Sequence, residues 1–108
     1  LTSFGQLLKF LHALQMQAQA LIDMAQRAAA LLGEPSHSYV GAGVALMRKG
    51  VLTEEDFRLY SAVVGFRNVL VHGYASIDVS RVSQILARRE YRRLVSLALK
   101  ILEAARDP

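Results

Sequence analysis

Apolar residues recur along this chain at helical spacing almost from end to end. Leu7, Leu11, Leu14, Ala18, Leu21, Ala25, Ala28 and Leu32 follow one another in alternating steps of four and three, a seam closed by Gly33 and Pro35. Between Phe4 and Leu32 only Lys9, Asp23 and Arg27 are formally charged, and Phe10, Ala20, Met24 and Leu31 carry apolar surface beyond the seam. A helix this apolar around its circumference needs cover on more than one side. A single chain of 108 residues can hardly supply it, so a second subunit is expected.

The rest of the chain keeps the helical period. Gly33 to Ser38 is rich in breaking and capping residues, and a short helix follows from about Tyr39 to Lys49, with Gly50 as its stop. Gly41 and Gly43 weaken that helix, so tertiary contacts must hold it. Thr53 then caps a helix whose first turn carries Glu54, Glu55 and Asp56, carboxylates that complement the positive dipole end. Phe57, Tyr60, Val64 and Val71 lie along one side, broadened by Leu59, Val63, Phe66 and Leu70, and Gly73 is the natural exit after His72. Asp78 caps a last long helix reaching Ala105, with Val82, Ile85, Leu86, Leu94, Val95, Ala98 and Leu102 inward and a break expected near Arg89–Glu90. No strand pattern, internal repeat or low-complexity linker competes. The expectation is one all-α domain over residues 1–108, an antiparallel bundle of three long helices and one short helix.

Composition narrows the function classes. With 53% hydrophobic and 20% charged residues the chain is no disordered segment. It has no cysteine, which rules out disulfides and thiolate metal sites, and its three scattered histidines make no zinc site. No metal and no cofactor is expected. No apolar stretch reaches the roughly 18–20 residues of a membrane span, and no secretory leader is visible. A soluble cytoplasmic protein is the expectation. The net charge of +4 is unevenly spread. Between Arg81 and Arg106 seven Lys and Arg residues face only Glu90 and Glu103, a local charge of 7 − 2 = +5. Such a segment suits an anionic partner such as RNA or DNA. Within it Arg88, Arg89, Arg92 and Arg93 form two i,i+4 rows that repel one another unless screened. They are candidate contacts to an RNA backbone, weighed against a plain solvated face.

One segment is not explained by cohesion. GFRNVLVHGY, Gly65 to Tyr74, places Arg67, Asn68, His72 and Tyr74 in an otherwise apolar run. A guanidinium binds phosphate oxygens through a planar fork of donors, and an imidazole takes or gives a proton near neutrality. A metal-free ribonuclease needs a base for the ribose 2′-hydroxyl, an acid for the leaving 5′-oxygen and a cation for the phosphorane. Residues five apart on a helix point about 140° away from each other, so Arg67 and His72 are not a simple pair. Asn68 and His72, four apart, do share a face, and Asn68 is expected to hold the ring. A twofold dimer would gather two Arg and two His around one cleft. Val69, Leu70 and Val71 read as core, His12 and His37 as structural or solvent-facing.

The string from Arg67 to Tyr74 resembles the R-x4-H-x-Y signature of HepT-like proteins of the HEPN superfamily. LQMQAQALIDMAQ (Leu14–Gln26), SYVGAGVALMRKGVLTEEDF (Ser38–Phe57) and IDVSRVSQIL (Ile77–Leu86) resemble the family's segments around it. The resemblance implies a dimeric, all-helical, metal-independent RNase toxin paired with a minimal nucleotidyltransferase antitoxin. It implies catalytic roles for Arg67 and His72 and a supporting one for Asn68. Tyr74 matches the tyrosine that the antitoxin adenylylates, which would put bulk and negative charge where an RNA phosphate docks. The chain departs from the family pattern in one respect. The family has a further full helix before the segment matched at Leu14–Leu32, and here at most thirteen residues precede that segment. The chain begins with Leu instead of Met, so the expectation is that a leading segment is missing, or that the first bundle helix is absent and another subunit substitutes for it.

Two other functions compete with the ribonuclease. A non-catalytic subunit would hold a nucleotide, or present a substrate to a nucleotidyltransferase, and bind without RNA turnover. An inert oligomeric scaffold would respond to neither.

Overall fold

The computed structural model describes residues 4–72 and 90–106, and within them the chain is four α-helices: α1 (Phe4–Leu31), α2 (Tyr39–Arg48), α3 (Glu54–His72) and α4 (Glu90–Ala105). The Asp78 cap and the inward Val82, Ile85 and Leu86 expected of the last helix lie outside the described residues.

Local chemistry sets the ends of the helices. After α1 the chain turns at Gly33 (φ 84°), whose N–H donates to the Ala30 carbonyl while that of Glu34 donates to Ala29. After α2 the same pair of bonds forms around Gly50 (φ 79°), from Gly50 to Met47 and from Val51 to Leu46. Both are left-handed glycine stops that satisfy otherwise orphaned carbonyls. Ser38 caps α2, its hydroxyl accepting from the Gly41 N–H at 2.9 Å. Thr53 and Asp56 cap α3 reciprocally, each side chain accepting from the other's backbone N–H at 3.1 Å. Asp56 Oδ2 also takes the Lys100 ammonium of α4 at 2.5 Å. Partial burial works to raise this carboxyl, but Lys100 and the two bonds with Thr53 outweigh it and hold Asp56 below its ordinary value of 3.8.

α1 is the central helix and touches the other three. Leu21, Ile22, Ala25, Ala28 and Ala29 are all buried, an arc wider than the expected seam because Ile22 and Ala29 join it. Its alanines let neighbours approach closely. They pack with Leu46 of α2, Tyr60 and Val64 of α3 and Leu97 and Ile101 of α4 in one core. The C-terminal half of α1 is therefore covered on several sides within one chain, although a second subunit was expected for that role. Phe10 and Met16, in the N-terminal half, remain 41% and 58% exposed. Nearer that end Leu11 forms a smaller cluster with Leu70, joined by Leu14 and Phe66. Gln19 meets Arg67 while Leu11 meets Leu70, so α3 runs antiparallel to α1. On α2, Gly43 lies so close to the Tyr60 ring that a Cβ there would fall 2.5 Å from Cδ2. Its lack of a side chain is what lets α2 seat on α3.

Two apolar assignments are corrected. On α3 only Leu70 of the Val69–Val71 trio is buried; Val69 and Val71 are 41% and 43% exposed. On α4 the buried line is Leu97, Ile101 and Ala105, flanked by half-buried Leu94 and Ala98, while Val95 and Leu102 face out. On both segments the apolar residues span a wider arc than the buried one, so the partner helix chooses which part goes in.

Candidate functional site

Arg67 is half-buried on α3, in the turn before Leu70 anchors the helix to α1. Three neighbours fix its guanidinium. Nε donates to Gln19 Oε1 of α1 at 2.7 Å, Nη1 donates to Asn68 Oδ1 at 3.1 Å, and the carbon of the fork sits 5.1 Å from the centre of the Tyr39 ring on α2. Such stacking attracts the cation to the ring face. Nη2 carries no hydrogen bond among the described residues.

Two of these neighbours are themselves held. Gln19 Nε2 donates to Asp23 Oδ1, four residues further along α1, at 2.8 Å. That bond settles the amide's orientation, since its nitrogen faces the carboxylate and its oxygen the guanidinium. Tyr39 opens α2, and its carbonyl accepts the Tyr60 hydroxyl at 2.7 Å. Tyr60 is fully buried, and burial, with added contributions from Asp23 and Tyr39, pushes its phenol far above the ordinary tyrosine range. It is a permanent donor.

His72 is the last residue of α3 and is exposed, with no hydrogen bond or ion pair among the described residues. The helix is regular through it, so Arg67 and His72 point about 140° apart. Asn68 was expected to hold the His72 ring. In the structure its oxygen accepts from the neighbouring Arg67 guanidinium, a charged donor.

The other candidates scatter. Arg92 is exposed. Arg93 pairs with Glu55 at 2.7 Å, both side chains largely in solvent. Glu55 lies twelve residues before Arg67 on α3, about 18 Å along the axis at 1.5 Å per residue. Arg93 thus sits at the opposite end of that helix from the site. Tyr74, Arg88 and Arg89 lie outside the described residues. Among the described residues no helix is long and apolar enough to cross a membrane.

Sequence reasoning missed Gln19, Asp23 and Tyr39. The available signal was a glutamine four residues before an aspartate on a helix otherwise poor in charge, too common a pair to single out alone.

Compared with known proteins, residues 3–101 match the model of a family described as ribonuclease HepT-like. The match contains all four described helices except the end of α4, and spans the whole segment from Gly65 to Tyr74. No curated protein and no solved structure gives a match.

Proposed function

The chain belongs to the HepT-like ribonuclease family, and on that premise we propose that it is the toxin of a HEPN toxin–antitoxin pair, a metal-independent endoribonuclease. The observation that carries this reading is Arg67, a half-buried cation steadied from three sides with one nitrogen unbonded among the described residues, inside the motif that also holds exposed His72.

The chemistry is that of in-line transesterification. The His72 imidazole accepts the proton of a ribose 2′-hydroxyl, and the freed oxygen forms a bond to the adjacent phosphorus. The bond from phosphorus to the 5′-oxygen breaks, and that oxygen leaves with a proton supplied by a second acid. Products are a 2′,3′-cyclic phosphate and a 5′-hydroxyl. Arg67 donates to the phosphoryl oxygens as negative charge grows in the phosphorane. Because Arg67 and His72 diverge on one helix, the complete site joins two protomers, with His72 of the partner subunit in the role of the second acid. Exposed Val69 and Val71 beside the motif are apolar surface suited to such a contact. A minimal nucleotidyltransferase antitoxin silences the toxin by adenylylating Tyr74 from ATP. The added AMP brings bulk and negative charge that oppose the docking of an RNA phosphate.

The test is RNA cleavage by purified protein in excess EDTA. Cyclic phosphate ends should form, and His72→Ala should abolish them without changing the circular dichroism or melting temperature. Cleavage that disappears with EDTA would overturn the mechanism. Tight nucleotide or RNA binding with no turnover would favour the non-catalytic subunit instead. For the partner, incubation with the antitoxin and ATP should add one or more AMP masses, and Tyr74→Phe should prevent it.

A further inference from the structure

Arg67 is held by a carboxylate that does not touch it. The chain of contacts runs from Asp23 through the Gln19 amide to Arg67 Nε, all on the α1 side of the site. A direct bidentate carboxylate would orient a guanidinium more strongly, but it would also neutralise it and take up the donors a phosphate needs. An interposed amide passes on the orientation and keeps the charge available. Tyr39 adds a second restraint from the ring face, where it occupies no N–H at all. Of the five guanidinium donors, two are used, and the other three carry no bond among the described residues.

We propose that Gln19, oriented by Asp23, and Tyr39 are the positioning residues of Arg67, setting the direction of its open donors toward an RNA phosphate while leaving its charge uncancelled. This rests on the reading of Arg67 as the phosphate-binding group, and its test has one arm that does not.

In the first arm, the Arg67 Nε–H is followed by nitrogen-15 NMR in the free protein. Wild type should show a resolved, slowly exchanging signal. Gln19→Ala should speed its exchange at least several-fold, Tyr39→Leu should do so less, and Tyr39→Phe should restore the wild-type rate because it keeps the ring. Alanine is a good helix former at a half-buried position, so the fold should persist, as an unchanged melting temperature would verify. An Nε–H whose exchange is the same in wild type and Gln19→Ala overturns the positioning role.

In the second arm, kinetics on an RNA oligonucleotide separate direction from charge. Gln19→Ala should lower kcat by up to about 100-fold with little change in KM, the signature of a misaimed group. Gln19→Glu should instead raise KM and weaken competitive inhibition by inorganic phosphate, because the new carboxylate pairs with Arg67. Equal effects of Ala and Glu on both parameters would overturn the division of labour. If wild type cleaves no RNA, the proposed function fails, while the exchange arm still decides whether Gln19 holds Arg67.

Discussion

Tyr60 and Arg67 share a face of α3, seven residues apart, and both end on Tyr39, the first at its backbone carbonyl and the second at its ring. One buried residue of α3 thereby fixes the platform on which another residue of the same helix rests. The link between the two passes through α2, which supplies no motif residue of its own.

Removing the Tyr60 hydroxyl tests the first half of that link. Tyr60→Phe leaves the Tyr39 carbonyl without its partner at 2.7 Å and should destabilise the fold by about 1–2 kcal/mol. Urea unfolding followed by circular dichroism measures it. An unchanged midpoint would mean that water or another donor takes the hydroxyl's place.

Gly43→Ala sets two effects against each other. Helix propensity alone favours alanine by roughly 1 kcal/mol, yet its Cβ would meet the Tyr60 ring at 2.5 Å. A fully buried ring has little room to yield, and overpacking of this kind costs about 1–3 kcal/mol. Net destabilisation is expected, read as a lower melting temperature. A stabilised variant would show that α2 can retreat freely.

The face of α4 turned inward can be verified by a pair of neighbours. Ile101→Ala, at a fully buried position, should cost about 2–5 kcal/mol. Leu102→Ala, at a side chain 47% exposed, should change stability by no more than about 0.5 kcal/mol in a monomer. Denaturation midpoints in the reverse order would restore the sequence-based seam.

The link between Asp56 and α4 depends on pH with a definite sign. Its folded pKa lies below 3.8, so the unfolded chain binds the proton more readily. The stabilisation is complete above the unfolded value and is lost as pH falls through the folded one. Asp56→Asn should therefore lower stability at about pH 6 by roughly 1 kcal/mol. The gap between variant and wild type should close in acid. A gap independent of pH would assign the effect to the cap geometry rather than to the charge.

How legible all this was in the sequence depends on what each feature rests on. The seam of α1, the Thr53 cap and the glycine stops at Gly33 and Gly50 are consequences of local spacing and backbone chemistry, and the structure has them where that chemistry puts them. The inward arc of α4 was misread because apolar residues occur on both of its sides, and only the surface of α1 decides between Leu97 and Val95. Val69 and Val71 failed for a similar reason, since apolar character states a preference for burial but brings no partner. In the motif, the divergence of Arg67 and His72 follows from the helical period alone. Gln19 and Tyr39 could not be read at all. Gln19 lies 48 residues from Arg67 in sequence, and their meeting depends on the register of two antiparallel helices.

That register has a consequence for when the chain can act. Gln19 and Asp23 flank Leu21 and Ile22, whose burial locks the rotation of α1. A slip of one residue would swing Gln19 by about 100° away from Arg67. The same α1 surface is sealed by Leu97 and Ile101 of α4, which come after the motif in the chain. A nascent or loosely collapsed chain would therefore carry the full motif with an unaimed arginine. On the proposed reading harm begins only when packing is finished, which gives a partner made at the same time the interval of folding in which to arrive.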